Sequence, residues 1–167
     1  MSSAPSLAPN RFHIRWMTRR DMPSVLAMEH LSFGHPWCEE ELDRVYAQGN
    51  CIGMVVEPLR VGLFDDDRIV GFAVYEMRTK SIQIVRLAVH PELRRRGVGR
   101  ELLGKLTGKL GSRRPGLAIL VRESNLPAQY FFRSFGFRAT LVVRGHYQDT
   151  GEDAYEMFYG IQEGGKR

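Results

Sequence analysis

Three consecutive arginines, Arg94, Arg95 and Arg96, stand directly ahead of Gly97-Val98-Gly99-Arg100, the part of the chain whose residue types and spacing point most clearly to chemistry. The apolar run Leu87-Ala88-Val89 stops at His90-Pro91, and Val98, Leu102, Leu103 and Leu106 recur at helical spacing after the glycines. A strand, a turn and a helix start are implied. The first turn of a helix presents unpaired N–H groups and a partial positive charge, and glycines there remove side chains that would hold an anion away from them. The chemistry implied is the holding of a phosphate or pyrophosphate. The spacing RxxGxG is neither the GxxxxGK[ST] of a Walker loop nor the full GxGxxG of a dinucleotide fold. The plainer alternative is a solvated arginine turn with Gly97 as a helix cap.

Composition narrows the remaining classes. The chain has 167 residues, 43% hydrophobic and 26% charged, enough for a full core in a single domain without disulfides or metal. Cys38 and Cys51 fit neither a disulfide framework nor a zinc site, so no metal is expected and a reducing, cytoplasmic compartment is implied. No apolar run is long enough to span a bilayer, and Met1 to Asn10 lacks the pattern of a signal peptide. The net charge of +5 invites a nucleic-acid partner, but the arginines cluster beside glycines without interleaved aromatics, which argues for a local anion site instead.

The elements that must position this loop follow from periodicity. Residues 1–10 and 163–167 read as disordered tails around one domain spanning 11–162. Phe12 to Met17 alternates as a strand, Asp21 to Leu31 repeats as a helix, and Trp37 to Leu42 restarts a short acidic helix after Gly34-His35-Pro36. Cys51 to Phe64 and Arg68 to Arg78 read as strands joined by a turn at Asp65-Asp66-Asp67, and Ile82 to Val89 as a third. A helix over Gly97–Leu110, a strand over Leu117–Val121, a helix over Asn125–Phe135 and strands at Phe137–Arg144 and Ala154–Ile161 complete the chain. The fold class is α+β, with a central mixed, mostly antiparallel sheet flanked by helices in the order β-α-α-β-β-β-α-β-α-β-β.

In this setting the run Arg94 to Gly99 resembles motif A of the GNAT superfamily of N-acetyltransferases, [QR]-x-x-G-x-[GA] after the fourth strand. Phe33-Gly34-His35-Pro36-Trp37-Cys38-Glu39, Val121-Arg122-Glu123-Ser124-Asn125, Phe135-Gly136-Phe137, Arg144-Gly145-His146-Tyr147 and Glu152-Asp153-Ala154 resemble, in order, elements of the bacterial ribosomal-protein alanine N-acetyltransferases, the RimI type. The resemblance spans about residues 12–161. It implies acetyl-CoA as cofactor, with its pyrophosphate on the Arg94, Arg95, Arg96, Gly97, Val98, Gly99 and Arg100 segment and its pantetheine along Leu87, Ala88 and Val89. Asn125 and Phe132 would sit beside the thioester arm, Asn125 serving equally as a helix cap. The acceptor would be a protein or peptide N-terminus, a ribosomal protein among the candidates, in a groove walled by His35, Trp37, Arg86 and Tyr147. A monomer or weak dimer is expected, with no membrane partner.

The resemblance breaks where proton chemistry belongs. The family's Glu falls on Leu120 and its Tyr on Phe132, and neither side chain here exchanges a proton. Tyr147 and Glu123 are the replacement candidates, with His146 and Tyr130 behind them, while Arg86 and Arg122 either attract an acidic substrate or pair with carboxylates. The expected function is acetyl transfer to an N-terminal α-amine. A lysine or small-molecule amine acetyltransferase and a non-catalytic acyl-CoA sensor remain as alternatives.

Overall fold

The computed structural model describes residues 12–59 and 69–161. Strand β1 (Phe12–Trp16) leads through a 3-10 turn into α1 (Met22–Ser32) and α2 (Glu39–Ala47), followed by β2 (Cys51–Pro58), β3 (Gly71–Met77) and β4 (Ile82–Val89). Helix α3 (Val98–Thr107), β5 (Gly116–Arg122), α4 (Leu126–Phe135), β6 (Arg138–Tyr147) and β7 (Glu152–Gly160) complete the order read from the sequence. The turn expected at Asp65-Asp66-Asp67, both tails, and the domain ends at 11 and 162 lie outside the described residues.

One seven-stranded sheet runs β1-β2-β3-β4-β5-β7-β6, antiparallel throughout except for the parallel β4–β5 pair. Each face carries its own core. Val98, Leu102, Leu103 and Leu106 of α3 and Phe132 of α4 pack with Ile82, Ile84, Leu117 and Ile119 on one side. Val25 and Met28 of α1 and Leu42 of α2 pack with Val55, Phe72 and Val74 on the other. The α3 side chains are buried at i, i+4, i+5 and i+8, the apolar stripe of a surface helix. Among the described residues no helix is long and apolar enough to cross a membrane.

Strand β6 runs three residues beyond its expected end at Arg144. Gly145, at φ +58°, takes the chain through a left-handed step, and its N–H donates to Oδ1 of Asp153 at 2.8 Å. Tyr147 thereby regains register opposite Glu152. Phe137 lies just before this strand, fully buried against Phe132 and Tyr159.

Candidate active site

The two central strands begin as partners and then separate. Parallel pairing of β4 with β5 is confined to Ile82–Ile84 against Leu117–Ile119, although β4 continues to Val89 and β5 to Arg122. Val85 is an extra residue in β4, because Val74 opposes Arg86 while Tyr75 opposes Ile84. Such a bulge bends its strand. It also turns Arg86 to the face of Val85 and Ala88, toward α1. Beyond the paired segment a cleft of about 580 Å³ opens, bordered by Leu87, Asn125, Ala128 and Phe132 and also by His35, Trp37, Arg86, Leu120, His146 and Tyr147. Among the described residues, the β5-facing backbone edge of residues 85–89 has no strand partner, so an extended amide-bearing chain has hydrogen-bonding groups to lie against.

The arginine–glycine turn sits at the end of β4. Arg95 (φ 62°) and Gly97 (φ 89°) both adopt left-handed backbone, and Gly97 caps α3. Among the described residues, the N–H groups of residues 95–100 find no acceptor in backbone or side chain; the next one, of Glu101, reaches Gly97 O at 3.0 Å. Several free amides at a helix start form an anion cradle. These residues fit a pyrophosphate. Arg94 folds back, its Nε donating to Val89 O at 3.1 Å, and so braces the turn against the strand. Gly99 has a different reason to be glycine, since a Cβ there would lie 2.8 Å from the Phe131 ring. Its small size brings α3 and α4 together, whereas the sequence alone suggested only room for a ligand.

At the opposite end, carboxylates hold the arginines. Glu29 of α1 is 0% exposed; its Oε2 accepts the Trp37 N–H at 3.0 Å and its Oε1 lies 3.3 Å from Arg86 Nε. The last contact is an ion pair without hydrogen-bond alignment. Burial raises the Glu29 carboxyl above its ordinary range, opposed by Arg86 and the Trp37 amide. The Arg86 guanidinium lies 4.3 Å from the Phe33 ring centroid and 4.6 Å from that of Trp37, and it donates to His35 O at 3.2 Å. Arg122 is gripped by Asp149 at 2.6 Å and Glu152 at 3.0 Å and stacks 3.8 Å from the Tyr147 ring. His35 Nε2 meets the same Asp149 at 3.1 Å, linking the α1–α2 loop to the β6–β7 turn. Both arginines are therefore paired with carboxylates, which answers the alternative left open by the sequence.

For proton chemistry, Leu120 lines the cleft as a hydrocarbon, and Phe132 is buried with its ring 5.1 Å from both Phe131 and Phe137. The Tyr147 hydroxyl donates to Leu120 O at 3.4 Å, which sets it on the strand that carries the family's Glu. Burial raises its pKa, partly offset by Arg122 and Arg86, so it stands in the cleft as a protonated donor. Glu123 is exposed and outside the cleft; its backbone ties α4 to β7 through Gln129 and Asp153. Tyr130, 67% exposed, points away as well. Asn125 caps α4 through Ala128 N at 3.2 Å and also lines the cleft. Trp37 likewise is half-buried, packed on the α1–α2 core and facing the cleft.

Glu29 and Asp149 went unnoticed in the sequence. Glu29 had a signal, because it follows Val25 by four residues on the apolar face of α1, where a carboxylate needs a partner. Among the described residues, no group of three or more His, Cys, Asp or Glu is arranged to hold a metal ion.

The family model described as "Acetyltransferase (GNAT) family" matches residues 22–137. The [ribosomal protein bS18]-alanine N-acetyltransferase of Salmonella typhimurium is 30% identical over 146 residues, covering 84% of this chain and 92% of that protein. The crystal structure of the ribosomal-protein-S18-alanine N-acetyltransferase from Escherichia coli superposes with a TM-score of 0.75 at 24% identity, covering 93% of this chain and 97% of that one. Arabidopsis thaliana NAA60 in complex with a bisubstrate analogue gives a TM-score of 0.78 at 17% identity, covering 90% and 98%.

Proposed function

The chain belongs to the GNAT family of acetyltransferases, and from that membership we propose that it moves the acetyl group of acetyl-CoA to the α-amine of a protein N-terminus. Acetyl-CoA supplies an activated thioester. The free amides of residues 95–100 hold the pyrophosphate, and the open edge of Leu87, Ala88 and Val89 aligns the pantetheine arm. Asn125 and Phe132 border the cleft where that arm would end. His35, Trp37, Arg86 and Tyr147 wall the acceptor side.

The observation that carries the acceptor assignment is the hydrocarbon at Leu120, the matched base position, with the Tyr147 hydroxyl beside it held as a donor. An α-amine, with a pKa of about 7.7–8.0, is roughly ten per cent neutral at pH 7, while a lysine near about 10.4 is neutral in fewer than one molecule in a thousand. A site with a hydrocarbon at the matched base position suits the first, although His35, His146, Glu41 and Glu76 also border the cleft. Alignment of a neutral amine against the thioester then supplies most of the acceleration. As the amine nitrogen bonds to the acyl carbon, the carbon–sulfur bond breaks and the amine's proton passes to water, while the Tyr147 hydroxyl turns from Leu120 O to protonate the leaving thiolate and regains its proton from solvent. The names of the relatives supply the closest analogy for the acceptor, the N-terminal alanine of a ribosomal protein.

The test is thiol release from acetyl-CoA with N-terminal peptides, lysine peptides and polyamines. Turnover with N-terminal peptides that formylation of the α-amine abolishes is expected; turnover that follows internal lysines would replace this reading with a lysine acetyltransferase. Leu120 and Phe132 also favour a second reading, an acyl-CoA sensor that binds without turnover, and the same assay separates the two.

A further inference from the structure

Two arginines reach a cleft whose acceptor arrives mostly as an ammonium, and a free guanidinium there would repel it. Arg122 is held by two carboxylates on the rim. Arg86 has another arrangement, a side chain 21% exposed backed by a carboxylate that is 0% exposed. A fully buried Glu whose Oε1 lacks a hydrogen bond is a costly feature, tolerated where a cation and a backbone donor face it. The contacts made from this pair all lead to one stretch of chain. Glu29 takes the N–H of Trp37, while Arg86 stacks on Phe33 and Trp37 and donates to the carbonyl of His35. The α1–α2 loop that walls the acceptor end is thus pinned at three residues by one buried ion pair.

We propose that Glu29 is a positioning residue for the acceptor: it holds Arg86 against the 33–37 wall, so that the wall keeps its shape and Arg86 does not present an unbalanced cation to the incoming amine. The consequence is a preference over charge. With Glu29 in place the cleft accepts a cationic N-terminal segment; without it, Arg86 becomes free to repel such a segment and to attract an acidic one. This rests on the acetyl-transfer reading and adds the residue that sets the acceptor's charge class.

Glu29→Gln tests it, because glutamine keeps the size and an acceptor for the Trp37 N–H while removing the charge. The substrates are two hexapeptides with a free N-terminal alanine that differ only in Arg or Asp at the second residue. The variant is expected to lose at least tenfold in kcat/KM for the Arg peptide, through KM, and less than threefold for the Asp peptide, with the KM for acetyl-CoA within twofold of the parent. Arg86→Met should shift the preference the opposite way, toward the Arg peptide, and it keeps the question open to test if Glu29→Gln does not fold. Combining Glu29→Gln with Arg86→Met should recover most of the Arg-peptide KM, because the unbalanced cation is then gone. Equal losses for both peptides, or variants that shift preference in the same direction, overturn the proposal. Titrating the peptides without acetyl-CoA, read by tryptophan fluorescence, reports the same preference where thiol release is nil, so failure of the transferase reading is distinguishable from failure of this one.

Discussion

At Tyr147 one hydroxyl faces a cleft from which the family's two proton-handling side chains have gone. Its donor contact to Leu120 O and its place beside Arg122 keep it over β5, where an acceptor amine would lie. Tyr147→Phe is expected to lower kcat by about a hundredfold, the lower end of the range that general acids supply, with coenzyme A binding unchanged. An unchanged kcat would leave alignment alone as the source of rate. Because Tyr147 is pushed up and stays protonated, the parent's rate should rise with pH as the substrate amine loses its proton and level off near about pH 8. Phe132→Tyr is the complementary test. Its ring is held by Phe131 and Phe137 and borders the cleft, so the added hydroxyl gains a place near the thioester arm. Thiol release should increase about tenfold or more; a loss of stability without gain in rate would mean the hydroxyl had been buried without a partner.

At the scale of elements, the loop and the helices behind it were legible because their cues are local. The apolar stripe of α3, the Asn125 cap and the glycine ahead of a helix each appear within a few residues of sequence, and the structure places them accordingly. The bulge at Val85 and the Gly145 step were not legible, since each is set by a residue of the neighbouring strand, Val74 with Tyr75 and Asp153, and although the place of Glu29 on α1 hinted at its burial, nothing local named its partner Arg86. Gly97 and Gly99 look equivalent in sequence, and their surroundings separate them. Gly97 has open space around its would-be Cβ but a left-handed φ, so Gly97→Ala should strain the cap by about 1–2 kcal/mol and weaken acetyl-CoA binding tenfold or more. Gly99→Ala should lower the melting temperature by pressing on Phe131, and Phe131→Leu should restore part of it. Calorimetry together with a binding titration checks both. If Phe131→Leu restores nothing, the helix–helix account of Gly99 is wrong.

Over the whole molecule, a cleft at the centre of a sheet requires the outer strands to stay fixed while the middle opens. The β1 edge is fastened by charge: Arg15 reaches Asp21 through two hydrogen bonds of 2.8 Å and Glu57 through one of 2.7 Å, tying β1 and β2 to the start of α1. Asp21 also accepts the Thr18 N–H at 2.7 Å, and Arg15 is the largest cause holding its carboxyl down at about 2. A carboxylate whose pKa is depressed on folding stabilises the native state above its unfolded value near about 4, and the stabilisation is lost as pH falls through the folded value. The difference of nearly two pH units corresponds to about 2 kcal/mol at neutral pH. Asp21→Asn should therefore cost about that much by chemical denaturation at pH 7. The gap to the parent should shrink to about half near pH 3, between the two pKa values, and largely close below pH 2. A gap that stays constant from pH 7 to pH 3 would show that Asp21 acts through packing and capping, and that the ion pair with Arg15 does not fasten this edge of the sheet.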